Sequence, residues 1–123
     1  MNDITKLELS AVPGLRVLDC FINELTELDL SALSELAELD CGNNQLTELN
    51  LSNVPKLTEL GCYSNQLAEL DLSAVPRLKS LSCSANQFTE LDIRSVLALD
   101  QVQCDDNVNV KKRPTQSVKN EKH

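Results

Sequence analysis

The sequence predicts a stacked-repeat solenoid built on parallel β-strands. Cysteine recurs every 21 residues, and asparagine follows each cysteine after three residues. A fixed period of this size is typical of repeat architectures. Aromatic residues make up only 2% of the 123 residues, while hydrophobic residues make up 41%. A core made almost entirely of leucine and valine suits a thin layer of small, identical packing sites.

Alignment on the cysteines places residues 1–110 in one repeat domain. A half repeat spans 2–14, and five repeats start at Leu15, Leu36, Leu57, Leu78 and Leu99. Each repeat contains a short alternation of inward and outward residues, such as Leu18-Asp19-Cys20, which is the periodicity of a strand. Stacked copies would form a parallel sheet with strands about 4.8 Å apart.

Residues 111–123 lose the repeat pattern and form a basic tail. The tail carries Lys111, Lys112, Arg113, Lys119 and Lys122 against the single acid Glu121. A short polar end with this composition predicts a solvated, disordered segment.

The repeat unit resembles the leucine-rich repeat family, whose core pattern is LxxLxLxxNxL. Leu15-x-x-Leu18-x-Cys20-x-x-Asn23-x-Leu25 matches that pattern, with cysteine in place of the third leucine. The second half, Leu25-x-x-Leu28-x-Leu30, is similar to bacterial 21-residue repeats of the internalin-J type. The resemblance implies a β-rich solenoid of the α/β repeat class: a right-handed coil with parallel sheets, two short strands per coil and little or no helix.

The cysteine column has three interpretations. Cys20, Cys41, Cys62, Cys83 and Cys104 can be small buried hydrophobic residues that fit a coil too narrow for leucine, and this structural role is favoured. Disulfide pairing is disfavoured because stacked side chains point the same way and five cysteines leave one unpaired. Metal binding or catalysis is disfavoured because close pairs such as CxxC are absent and an apolar environment makes a thiol inert.

The asparagine column recurs on the core side and needs hydrogen-bond partners. We expect these side chains to bond backbone groups of their own turn and of the next coil. Asparagine also tolerates a tight turn at a strand end. The column contains Asn23, Asn44, Asn65, Asn86 and Asn107.

The outward residues of the first strand are the predicted partner-binding face, because ligands commonly dock there in the family. Phe21 and Tyr63 are expected to be exposed aromatic anchors flanked by acids, which favours a partner with a basic or mixed surface. A neutral, solvated sheet with two incidental rings is the competing interpretation. The predicted face comprises Val17, Asp19, Phe21, Glu38, Asp40, Glu59, Tyr63, Ser80, Ser82, Gln101 and Gln103.

The second half of each repeat carries two outward columns that are mostly acidic. The columns read Lys6, Glu27, Glu48, Glu69, Glu90 and Glu8, Asp29, Asn50, Asp71, Asp92. Such columns offer carboxylate oxygens to a divalent cation. The favoured role is solubility, because repulsion between like charges blocks edge association of a β-rich protein. No metal site is predicted.

No enzymatic activity and no cofactor are predicted. The single histidine, His123, is the last residue, and no phosphate-binding GxxxxGK[ST] loop occurs. The net charge of −8 disfavours nucleic-acid binding. No apolar run approaches the ~18–20 residues of a membrane helix. The first residues do not resemble a signal peptide, so the expected location is the cytoplasm, or the cell surface or medium if the chain is part of a longer protein.

The predicted function is a non-catalytic scaffold that binds another protein through the sheet face. One alternative is a structural or adhesive segment of a larger bacterial surface protein. A weaker alternative is a cation- or carbohydrate-binding module. The array starts half a repeat in, at Ile4, Leu7 and Leu9, with no obvious polar cap, so end-to-end self-association is also open.

Overall fold

The computed structural model describes residues 4–116 and 118–122, without the side chains of 119–122. These residues form a solenoid of about five turns, and the part of the chain described contains strands but no helix. Residues 1–3, Ser117 and His123 lie outside it. The strands are β1 (Val17–Asp19), β2 (Glu38–Asp40), β3 (Glu59–Gly61), β4 (Ser80–Ser82), β5 (Glu90–Asp92), β6 (Gln101–Cys104), β7 (Asn109–Lys111) and β8 (Lys119–Lys122).

The strands form two parallel sheets on opposite sides of the coil. The larger sheet has the order β1-β2-β3-β4-β6-β8, and the smaller sheet consists of β5 and β7. Register in the larger sheet follows the 21-residue period, so that Leu18 pairs with Leu39 and Leu39 with Leu60. The predicted parallel-strand coil is therefore confirmed.

The second strand of each coil forms only at the carboxyl end. In the first coils, backbone bonds join neighbouring turns just before the corresponding segments, such as Gln45 N to Leu25 O at 2.8 Å and Gln66 N to Leu46 O at 2.8 Å. At the β5–β7 pair, Lys111 Nζ lies 3.3 Å from Glu90 Oε2. Glu27, Glu48 and Glu69 occupy the equivalent position in successive earlier coils, and like charges on neighbouring segments weaken their pairing.

The core is a single apolar layer enclosed between the two sides of the coil. Leucine side chains at equivalent positions are fully excluded from solvent, as are most of the cysteines. Phe88 replaces a leucine in this layer and is also buried. Every internal coil packs on two neighbours, so burial is greatest in the middle of the array.

A tight corner follows each of the first four strands of the larger sheet, β1 to β4. The residue in the left-handed conformation is Ile22, Asn43, Ser64 or Ala85, with φ between 53° and 57°. The column asparagine follows directly after this corner residue. A left-handed backbone is unusual for a β-branched residue, so Ile22 is the strained member of the set.

The basic tail continues the solenoid where the sequence predicted disorder. Strand β8 pairs with β6 in parallel, with Val102 opposite Asn120. Val110 and Val118 pack against the core. Arg113 Nε donates to Arg94 O at 2.8 Å, and Gln116 Nε2 donates to Ile93 O at 2.8 Å. These apolar contacts and backbone bonds order the segment despite its charge.

Within residues 4–116 and 118–122, we find no helix with the length and apolar character needed to cross a membrane.

Candidate functional site

The outer face of the larger sheet gathers the residues that the sequence predicted to bind a partner. The strand pairing aligns Val17 with Glu38, Glu38 with Glu59, and Glu59 with Ser80. Side chains of this face range from exposed to half-buried. A shallow groove of about 330 Å³ crosses β1 to β4 on this face. The sheet thus brings the candidate residues together.

Tyr63 is the fixed centre of this face. Its ring lies over Gly42 so closely that a methyl group on Gly42 would overlap it. The Tyr63 hydroxyl donates to Asp40 Oδ2 at 3.3 Å, and the Gly42 amide donates to Asp40 Oδ1 at 3.1 Å. Partial burial, followed by the nearby Asp40 charge, raises the pKa of Tyr63. Tyr63 is therefore held in one orientation, half-buried rather than freely exposed.

Phe21 differs from Tyr63 in its surroundings. It occupies the equivalent repeat position in the first coil, and 40% of its surface is exposed. The two predicted anchors are consequently not alike: Tyr63 packs on the preceding coil through Gly42, whereas no preceding strand lies beside β1 among the described residues.

The groove has an acidic half and a neutral half. Asp19, Glu38, Asp40 and Glu59 line it over the first three coils, and no lysine or arginine contributes to its lining. Ser82 Oγ and Gln103 Oε1 are 3.1 Å apart over the later coils, and the serine hydroxyl donates. A low-charge polar surface therefore adjoins an acidic one that contains the tyrosine.

Two glycines shape this groove and were not singled out from the sequence. Gly42 leaves the space that the Tyr63 ring fills, and a Cβ atom at Gly61 would lie only 3.2 Å from the same ring and 3.3 Å from Asp40 Oδ1. The sequence does show both glycines, because each interrupts an outward column of larger residues. Their role becomes clear only from the structure, in which the Tyr63 ring covers Gly42.

The asparagine column supplies the main polar bonds inside the coil. Asn65 Nδ2 donates to Cys41 O, Cys62 O and Tyr63 O at 3.1–3.2 Å, and Asn65 Oδ1 accepts from Leu46 N at 3.0 Å. Asn44 and Asn86 repeat this pattern. The asparagine side chains thus bond their own turn and the preceding coil. The sequence analysis had expected bonds to the following coil.

The two ends of the asparagine column differ from its middle. Asn23 Nδ2 donates to Cys20 O at 3.0 Å, and its Oδ1 accepts a longer bond of 3.4 Å from Ile4 N. Asn107 is exposed, so its predicted structural role does not extend to the last repeat.

All five cysteines are buried, and Cys20, Cys41, Cys62 and Cys83 are free thiols. Burial raises the pKa of Cys20 to about 11 and the pKa of Cys83 to about 12. Burial also raises the pKa of Cys62 well above its usual value. A thiol that stays protonated is a poor nucleophile and a poor metal ligand. This environment supports the packing interpretation of the column.

We expect Cys62→Ser to lower the free energy of unfolding by about 1–3 kcal/mol, because a hydroxyl without a partner replaces a weakly polar thiol in the core. Cys62 has no exposed surface. Urea denaturation followed by circular dichroism measures the change. Cys20→Ser is the matched control, since Cys20 is 6% exposed and should lose less. Equal losses at the two sites would contradict the burial argument.

The mostly acidic columns of the second side contain a structural motif that the sequence analysis missed. Oδ1 of Asp29, Asn50, Asp71 and Asp92 accepts the amide two residues later, at 2.9–3.0 Å. This is the Asx turn, which both aspartate and asparagine form. Bonds from Ser31 and Ser73 lower the pKa values of Asp29 and Asp71. These residues therefore shape corners.

Among the described residues, no three histidine, cysteine, aspartate or glutamate side chains group closely enough to hold a metal ion.

Comparison with known proteins agrees with this architecture. No protein-family model and no curated protein sequence matches the chain. Among solved structures, the functional domain of InlJ from Listeria monocytogenes, which includes a cysteine ladder, is 33% identical with a TM-score of 0.81. The alignment covers 88% of this chain and 27% of that one.

Two further internalins of Listeria monocytogenes strain 4b F2365 share the fold. InlF is 24% identical with a TM-score of 0.82, over 98% of this chain and 38% of that one. InlC2 is 28% identical with a TM-score of 0.71, over 90% of this chain and 48% of that one. The chain spans less than half the length of each of these structures. With its 21-residue coil and cysteine column, the chain is a leucine-rich repeat solenoid with an internalin-like fold.

Proposed function

We propose that the chain is a non-catalytic scaffold that binds a basic polypeptide segment across β1 to β4. The leucine-rich repeat and internalin neighbours support a protein-interaction repeat in general. The observation that supports this particular face is the orientation of Tyr63, held over Gly42 and hydrogen-bonded to Asp40 within an acidic groove.

A fixed tyrosine favours binding because little side-chain entropy remains to be lost. Tyrosine is enriched at the energetic centres of interfaces, where its ring packs and its hydroxyl bonds. A lysine or arginine of the ligand that binds beside the ring would lie close to Asp40 and Glu59, which line the same groove.

The charge of the groove favours a basic ligand over a neutral one. Four carboxylates line it without a compensating cation in the lining. Complementary charge raises the association rate and selects against acidic partners. The neutral half, with Ser80 and Ser82, provides polar groups next to this acidic region.

Peptides selected from a displayed random library against the full chain test this proposal. We expect the selected peptides to be rich in lysine and arginine. Glu38→Gln/Glu59→Gln should weaken their binding about tenfold or more, since it removes two charges from the groove. Fluorescence anisotropy with a labelled selected peptide measures the affinity, and added salt should weaken it.

The matched control is Glu48→Gln/Glu69→Gln, which removes two exposed charges from neighbouring coils on the opposite side. This control variant should bind the peptide with an affinity within about twofold of the natural chain. Dissolved ions screen the interaction between charges that lie about a Debye length or more apart. Equal losses in both variants would mean that only net charge matters. Selected peptides without basic residues, or binding unaffected by the groove variant, would also overturn the proposal.

A further inference from the structure

The Tyr63 ring lies flat on the outer surface of the sheet. A Cβ atom on Gly42 would come almost equally close to Cζ, Cε1 and Cε2 of Tyr63, so it would meet the face of the ring. A Cβ atom on Gly61, in the same coil as Tyr63, would lie 3.2 Å from Cε1. The ring thus extends from its own coil over the preceding one. One face covers the backbone, and the other face points away from the sheet.

The outer face of this ring lies in a groove that is rich in carboxylates. Tyr63 is partly accessible to solvent, and it lines the groove together with Asp19, Glu38, Asp40 and Glu59. Asp40 meets the hydroxyl end of the ring, where its Oδ2 accepts the bond of 3.3 Å. The negative face of an aromatic ring attracts cations. The ring and the carboxylates therefore favour the same kind of ligand group.

The strand register places the four carboxylates in two neighbouring pairs. Glu38 lies opposite Glu59, and Asp19 lies opposite Asp40. Adjacent strands are about 4.8 Å apart, so each pair brings two like charges together. Like charges directly opposite each other destabilise a sheet. A cationic ligand group that lies between the carboxylates relieves this repulsion.

Given the basic ligand proposed for this groove, and dependent on it, we propose that the ligand places an arginine on Tyr63 and that Tyr63 selects arginine over lysine. The planar guanidinium stacks on the outer face of the ring. Its N–H groups then point from the edge of the guanidinium toward Asp40 and toward Glu59, which precedes Gly61 by two residues on the same face of β3.

The ring explains why the two basic residues are distinguished. A lysine ammonium has no plane that can stack and no rigid fork of donors that bonds two carboxylates at once. The carboxylates alone attract either cation, and exposed ion pairs of this kind are weak. Tyr63 contacts the ligand in this arrangement. Gly42 is a positioning residue, because the ring can lie flat only where no Cβ atom is present.

Two labelled peptides of equal charge, hexa-arginine and hexa-lysine, test the selection with the full chain. Six extended residues span about 20 Å, which is more than the distance of about 14 Å across four neighbouring strands. Fluorescence anisotropy measures both affinities. We expect the natural chain to bind hexa-arginine about fivefold more tightly than hexa-lysine. Tyr63→Leu should reduce this preference to within about twofold, because it removes the ring and keeps every carboxylate.

Gly42→Ala is the second variant, because it keeps Tyr63 and every charge but displaces the ring. It should reduce the preference for arginine as far as Tyr63→Leu does. Gly14→Ala is the matched control, since a Cβ atom there meets nothing within 4 Å. This control should keep the preference of the natural chain. Circular dichroism checks the folding of each variant.

A preference for arginine that persists in Tyr63→Leu would overturn the proposal. Tyr63 lies outside the buried core, so this variant decides the question even if Gly42→Ala does not fold. Equal binding of the two peptides, lost in Glu38→Gln/Glu59→Gln, would overturn the selection of arginine and leave the basic ligand in place. No binding of either peptide at concentrations up to about 1 mM would overturn both proposals.

Discussion

Asn65→Ala is expected to lower the free energy of unfolding by about 3–5 kcal/mol. The substitution removes the acceptor for Leu46 N and the donors for Cys41 O, Cys62 O and Tyr63 O. A buried backbone group left without a partner costs about 1–3 kcal/mol. The carbonyls of Cys62 and Cys41 receive a second side-chain donor from Asn86 and Asn44 respectively, so the losses are less than the full sum.

Urea denaturation followed by far-ultraviolet circular dichroism measures this change in the purified chain. Asn107→Ala is the matched control, because Asn107 holds the same repeat position but is exposed. We expect its effect to be within about 0.5 kcal/mol. Similar losses in the two variants would mean that the conformation of the turn, rather than the buried hydrogen bonds, explains the asparagine column.

Leu67→Ala is expected to lower the free energy of unfolding by about 3 kcal/mol. Leu67 has no exposed surface, and its coil packs between two others in the middle of the array. Truncation of a buried leucine costs about 2–5 kcal/mol, since apolar contacts are lost and a cavity remains. A thin solenoid has no second core layer that could move to fill it, so relaxation should recover little.

Leu97→Ala provides the comparison, because the same atoms are removed from a side chain that is 68% exposed. Thermal and urea unfolding should place this variant within about 0.5 kcal/mol of the natural chain. The Leu67 prediction fails if both variants unfold at the same urea concentration with the same denaturant dependence.

Much of the fold could be predicted from the sequence because the 21-residue period specifies it repeatedly. The spacing of the cysteines sets the register of the larger sheet, so Leu18, Leu39 and Leu60 fall in one inward column. It also assigns the outward residues of the candidate face. Each repeat confirms the inward and outward assignments of the others, which compensates for the weak signal of a three-residue strand.

The departures from prediction occur where a contact crosses between coils or breaks the repeat. The tail was expected to be disordered from its charge, yet Arg113 and Gln116 donate to carbonyls of the preceding coil. The second strands were expected in every coil, but the smaller sheet forms only between β5 and β7. Neither outcome can be read from one repeat alone.

The candidate face likewise combines features that the sequence predicted with contacts that only the structure shows. The sequence identifies Tyr63 and Asp40 as outward residues, but only the structure brings the Tyr63 ring over Gly42 and its hydroxyl to Asp40. The partners are 21 or more residues apart, and the side-chain orientation depends on the absence of a Cβ atom. A period indicates which residues share a column and leaves open how neighbouring columns touch.

The sequence by itself determined the solenoid, its register and the burial of the cysteine column, because a strict period forces equivalent residues into equivalent environments. Only the tertiary structure decided the left-handed corner residues and the ordered last coil. Those features depend on the neighbours that a residue has in space. At the two ends of an array the neighbours differ from those inside it, so the repeat pattern cannot specify them.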